Sequence, residues 1–100
     1  MKLFEPMRVD EAMDFADAGG QALHVWKGAW PGPTRPRCFV NGQPWGHLID
    51  MDVERLKATA LELGVRVIRI GRLGKRGQHI DLCGRPLARA IAGATGNEAD

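Results

Sequence analysis

Between Gly77 and Ala94 the chain reads GQHIDLCGRPLARAIAGA, and an imidazole (His79), a carboxylate (Asp81), a thiol (Cys83) and a guanidinium (Arg85) fall within seven residues of it. The i, i+2 spacing of His79 and Asp81 puts both side chains on one face of a strand, about 7 Å apart at the Cα atoms. A pair so placed can ligate a metal, or the carboxylate can orient the imidazole for proton transfer. The plainer reading has Asp81 capping the helix that follows and His79 bonded to a loop backbone. Cys83 stands at the expected helix start, where the dipole lowers a thiol pKa and arms a nucleophile.

A second histidine lies in Trp45-Gly46-His47-Leu48, just before an expected helix. If that loop and the final strand open on one edge of the sheet, His47 meets His79. Together with Asp50 and Asp81 they would form a nitrogen–oxygen metal set. The tight H-x-x-x-H or cysteine-rich spacing of a zinc motif is missing, and Asp50 serves equally well as a helix cap. Arg66, Arg69, Arg72, Lys75 and Arg76 run from strand to loop with Gly71, Gly74 and Gly77 between them. Glycines let backbone N–H groups approach a phosphate, and guanidinium groups grip its oxygens in pairs. Arg85 and the first amides of the last helix would add to that pull. The spacing matches neither a Walker loop nor a dinucleotide fingerprint, and solubilising charge on a loop explains it as well. Trp26, Trp30 and Trp45 are candidate base-stacking rings, or core and loop anchors.

These groups need elements to hold them. Leu23 to Lys27 alternates as a strand, with Leu23 and Val25 on one face and His24 and Trp26 on the other. Gly28 to Pro36 is a proline- and glycine-rich loop. Arg37 to Val40 reads as a second strand, and Asn41-Gly42 signals a hairpin whose returning arm Pro44 makes irregular. From Asp50 or Asp52, the spacing of Val53, Leu56, Ala60 and Leu63 predicts a helix stopped at Gly64. Val65 to Ile70 then reads as a mostly apolar strand, giving a βαβ unit. His79 to Leu82 predicts a short strand, and Pro86 opens a closing helix with Leu87, Ala88, Ile91 and Ala92 inward.

One hundred residues with 44% apolar and 26% charged side chains suit one globular domain. The net charge of +2 tolerates an anionic ligand but falls short of a dedicated DNA-binding domain. No apolar run approaches the roughly 18 residues of a membrane span, and the start MKLFEPM lacks the apolar core of a signal peptide. Two cysteines, Cys38 and Cys83, form no framework and read as reduced thiols. A cytoplasmic protein with no membrane contact is the expectation.

From about Leu23 to Ala94, the order of elements and the motifs Trp45-Gly46-His47-Leu48 and His79-Ile80-Asp81-Leu82 resemble a small bacterial and phage family. That family is catalogued as a domain of unknown function (number four thousand and thirty-one), so the resemblance implies an architecture and names no reaction. Its members more often carry Thr at the place of Cys83, which implies hydrogen bonding over covalent catalysis there. Their first strand reads Val-Tyr-Val-Asp where this chain has Leu23-His24-Val25-Trp26, so a site depending on that carboxylate does not carry over. Their Lys-Arg pair is here Pro86-Leu87, with Arg85 one step early.

The combined expectation is an α/β domain over residues 21–94, built on a compact three- or four-stranded mixed sheet with two main helices. Residues 1–20 would be an N-terminal appendage, helical or mobile, and residues 95–100 a frayed tail. The leading function is recognition of a phosphate or nucleotide, with His47, Trp45, Arg72, Arg76 and Arg85 binding and His79 and Asp81 directing or moving a proton. A phage-type protein-interaction module without chemistry competes with it. So does a metal-dependent hydrolase or nuclease using His47, Asp50, His79 and Asp81. No resident cofactor is expected beyond a divalent metal. Expected partners are an anionic small molecule or nucleotide, nucleic acid, or a second copy of the chain.

Overall fold

The alternation in QALHVWK sets the frame: Gln21–Lys27 is a strand, β2, whose Leu23 is buried on one side and His24 on the other. The computed structural model describes residues 1–28 and 42–94. In chain order they form β1 (Lys2–Phe4), a 3-10 turn (Pro6–Arg8), α1 (Val9–Asp17), β2, β3 (Pro44–Asp50), α2 (Val53–Glu62), β4 (Ile70–Gly71), β5 (His79–Cys83) and α3 (Gly84–Gly93). The fold is mixed α/β, a five-stranded sheet in the order β1-β2-β3-β5-β4 with three α-helices. β1 is parallel to β2, and every other neighbouring pair is antiparallel. No described helix is long and apolar enough to cross a membrane.

Strand side chains alternate between faces, so the register decides what meets what. One face carries a row of apolar residues through all five strands: Leu3, Leu23, Leu48, Ile80 and Ile70. Helices α2 and α3 close over it with Leu56, Ala60, Leu87 and Ala90, all buried. Each fully buried leucine there contributes about 1.5–3 kcal/mol of transfer free energy. Asp52 caps α2, its side chain accepting from Arg55 N at 3.0 Å.

The opposite face is divided. Ala12 and Ala16 of α1 pack on Phe4, Ala22 and Ile49 at one end. Residues 1–20 are therefore no appendage. β1 extends the sheet, and α1 is the crossover between two parallel neighbours, burying its apolar stripe as any such helix must. The sheet accordingly has five strands where three or four were expected.

Two other expectations change. Trp45-Gly46-His47-Leu48 is not a loop before a helix but the middle of β3, a central strand. Pro44 fits because it is the first strand residue. Conversely, the strand expected over Val65 to Ile70 shrinks to Ile70–Gly71, and Val67 is 67% exposed. β3 and β4 still run parallel, joined by α2, but β5 lies between them. The strand expected at Arg37 to Val40, the hairpin residue Asn41 and the tail 95–100 lie outside the described residues.

Candidate functional site

The register of the half-covered face places three side-chain rows beside one another. Ala22, Ile49, His79 and Gly71 form the first, His24, His47 and Asp81 the second, and Trp26, Trp45 and Cys83 the third. His79 and Asp81 share a face as their spacing required, and β3 brings His47 directly opposite Asp81. The two imidazoles lie with ring centroids 4.5 Å apart. His47 Nε2 is 3.3 Å and His79 Nε2 3.4 Å from the same oxygen, Asp81 Oδ1.

The geometry of that convergence is unusual for an ion pair. Asp81 Oδ1 is buried, yet neither ring nitrogen meets it with hydrogen-bond geometry. One ligand atom from each of His47, His79 and Asp81 falls within 4.8 Å of the others. The side chains stay partly open to solvent, at 24%, 18% and 36% exposure respectively.

The backbone fixes one ring in detail. His79 Nδ1 donates to Gly77 O at 2.7 Å, which leaves the lone pair of a neutral ring on Nε2, facing Asp81. Gly77 makes this bond from a left-handed turn, φ 83°, where a Cβ would crowd Met13 and Arg72. Gly71, across the ladder, lets the His79 ring lie against β4, since a Cβ there would come within 2.6 Å of the imidazole. For His79, burial opposes protonation, but Asp81 and the Gly77 carbonyl outweigh it and raise the pKa above the ordinary histidine value. For Asp81, burial works upward and is overcome by His47 and His79, holding the carboxyl well below the usual range.

The third row forms a wall. Trp26 stacks on Trp45 at 4.8 Å with the rings 7° from parallel, and Trp45 meets His47 edge-on at 5.3 Å. Trp45 thus adjoins the site, but it is 1% exposed and backs His47, where a ligand-stacking ring was expected.

The arginines do not gather as expected. Arg72, in a left-handed conformation at φ 55°, lies close enough for its charge to oppose protonation of His79, and its Nε donates to Arg76 O at 2.7 Å. Arg76 is turned to α1, where it pairs with Asp14 at 2.8 Å and with Asp17. It clamps the loop to the helix. Arg85 is on α3, across the sheet, and lines a hollow with Gln43, Pro44, Leu87 and Ile91. Asp50 also leaves the candidate metal set. It is fully buried and saturated, accepting from Arg55 Nε and Nη2 at 2.7 and 2.8 Å, Gln21 Nε2 at 3.0 Å and Asp52 N at 2.9 Å.

Cys83 is not a nucleophile, because its sulfur is disulfide-bonded. Reduced thiols were expected from the cysteine count; the other cysteine of the sequence, Cys38, lies outside the described residues. His24 is the neighbour that sequence reasoning passed over. It is fully buried beside His47, with ring centroids 6.3 Å apart. Its signal was present, since the alternation of LHVWK places it on the same face as Trp26. No family model, curated protein or solved structure matches this chain.

Proposed function

We propose that His47, His79 and Asp81 hold one divalent transition-metal ion and that the protein is a metal-dependent hydrolase of an anionic ester, a phosphate ester first. The observation that carries this reading is the convergence of two Nε2 atoms and one carboxylate oxygen within 4.8 Å, without a ring proton aimed at the carboxylate. A plain ion pair would satisfy Asp81 Oδ1 directly. Two imidazoles and one carboxylate suit zinc, iron, nickel or copper better than magnesium or calcium, which favour oxygen-only shells. Three protein ligands leave coordination positions for water and substrate, as catalytic zinc sites do. Such an ion supplies a Lewis acid and a bound water whose pKa falls to about 7. The chain's own share is orientation: Gly77 O sets the His79 tautomer, the tryptophan wall backs His47, and Arg72 lends positive charge beside the site.

Membership of the family that the chain resembles belongs to the same proposal. The two motifs carrying the likeness are the ones that supply His47, His79 and Asp81. A disulfide-bonded Cys83 sits better with an oxidising compartment than with the expected cytoplasm.

The test is calorimetric titration of metal-free protein with Zn²⁺, Mn²⁺ and Mg²⁺, beside an assay on an aryl phosphate ester. Expected are one Zn²⁺ per chain, a rise in melting temperature, no response to Mg²⁺, and ester cleavage only with metal. Unchanged melting with every transition ion would remove the reading.

A further inference from the structure

His24 is a fully buried imidazole on a strand position that an aliphatic residue would fill as well. It stands opposite His47 in the row that continues to Asp81. Its Nε2 donates to Pro6 O at 3.0 Å, so the neutral ring keeps a lone pair on Nδ1. That Nδ1 is buried and meets no hydrogen-bond donor. Burial also keeps the ring neutral, holding its pKa below the ordinary histidine value. An acceptor so enclosed calls for a donor. Among the described residues the ring's aromatic neighbours are Trp26, edge-on at 4.3 Å, and His47 at 6.3 Å. An imidazole that coordinates through Nε2 carries its proton on Nδ1, and such ligands almost always hand that proton to an acceptor. His79 has its acceptor in Gly77 O. Among the described residues no corresponding acceptor meets His47.

We propose that His24 is the positioning residue for His47: through one bridging water, its Nδ1 accepts the Nδ1–H of His47 and so presents Nε2 to the metal. The water accepts from His47 and donates to His24, so one molecule satisfies both ring nitrogens. The two histidine ligands are then held by different means, one by a carbonyl in a tight turn and one by a second imidazole anchored on Pro6. This inference rests on the metal reading above.

The experiment compares wild type with His24→Asn, whose side-chain oxygen takes the place of Nδ1, and His24→Phe, which fills the space and accepts nothing. Both variants lose the bond to Pro6 O, so their difference isolates Nδ1. Zn²⁺ affinity measured by calorimetry should fall about 10–100-fold in His24→Phe and stay close to wild type in His24→Asn. Equal affinities in the two variants would overturn the proposal. A purely structural role would lower both melting temperatures and leave the affinity ratio at one. Should His24→Phe fail to fold, imidazole nitrogen shifts of the wild-type protein decide by NMR. A bare Nδ1 on His24 is required, and a protonated one overturns the proposal. Wild-type protein that takes up no Zn²⁺ at all refutes the metal reading itself. Uptake without discrimination between the variants refutes only the role of His24.

Discussion

Asp50 and Asp81 are carboxylates on neighbouring strands of one sheet, and they are treated in opposite ways. Asp50 sits at the end of β3, fully buried, with a bidentate arginine, an amide side chain and a backbone N–H all donating to it. Asp81 has one oxygen buried between two histidines and bonded by neither. A saturated carboxylate has nothing left to offer a ligand, because each donor it holds must be replaced before anything else binds. An unsaturated one keeps lone pairs free for an incoming cation. The difference separates a carboxylate that builds the fold from one that awaits a partner.

The largest expected effect breaks the second half of that contrast. Asp81→Asn keeps the shape and removes the charge. Zn²⁺ affinity should drop by more than about a hundredfold, since a direct ligand is worth more than the 10–100-fold of an outer-shell partner. Urea unfolding of the metal-free variant should show a modest loss of stability at neutral pH, because the fold favours the ionised carboxyl. Calorimetry and denaturation on the same preparation would check both, and an unchanged Zn²⁺ affinity would remove Asp81 from the ligand set. Asp50→Asn should do the reverse. It removes the charge paired with Arg55 and turns one acceptor oxygen into an NH2 facing donors, and should cost about 3 kcal/mol of stability in urea unfolding. Zn²⁺ affinity, measured where the variant is folded, should stay at the wild-type value. A loss of affinity there would show that the two carboxylates are not separable.

Much of this was legible in the sequence, and the failures have physical causes. β2, α2, β5 and α3 announce themselves through local pattern: period-two alternation, a capped 3.6-residue stripe, and Pro86 near a helix start. β1 is three residues long and owes its existence to pairing with β2, so no local signal marks it. β3 was hidden behind Pro44 and Gly46, although its position between β2 and β5 overrides their weak strand preference. His47, His79 and Asp81 were identifiable as types, but only the register says that His47 opposes Asp81. The arginines failed most plainly. Long side chains choose partners by proximity in space, and Arg76 found Asp14 and Asp17 some sixty positions away. Asp50 was misassigned for a similar reason, because Arg55 and Gln21 complete its shell from two other elements.

The response to pH sharpens the contrast further. His79 has a raised folded pKa, so its contribution is complete below about 6.5 and is lost as pH rises through the folded value. Asp81 has a depressed one; its contribution is present above about 3.9 and is lost as pH falls toward the folded value. Buried, neutral His24 adds a third component, costing stability as pH falls below about 6.5 because the unfolded chain then takes up the proton more readily. Metal-free protein should therefore be most stable near pH 6.5 and weaken on both sides. Saturating Zn²⁺ should reverse the alkaline limb, because the ion binds deprotonated ligands. Asp81→Asn should flatten that limb with or without metal. Thermal melts across pH 4–9 would show it, and an alkaline limb that survives Asp81→Asn would mean His79 draws its shift from elsewhere.

Gly71→Ala tests the ring rather than the carboxylate. The new methyl group would come within 2.6 Å of the His79 imidazole and push it off β4. Zn²⁺ affinity should fall about tenfold, the low end of outer-shell effects, with Asp81 and His47 still in place.

The smallest effect is expected at Arg76, and its smallness is informative. Arg76 was counted among the anion-binding residues, yet its guanidinium is committed to Asp14 and Asp17 on α1. Exposed pairs of this kind contribute little to stability, because solvent screens them and the side chains lose freedom in forming them. Arg76→Ala should lower the melting point slightly and leave Zn²⁺ affinity and ester cleavage unaltered. Arg72→Ala, by contrast, removes the positive charge beside His79 and should raise KM for an anionic ester while sparing metal affinity. Steady-state kinetics on the two variants decide the matter. If both raise KM alike, the Arg76 clamp positions the loop that carries Arg72 and Gly77, and the boundary between fold and site runs through α1.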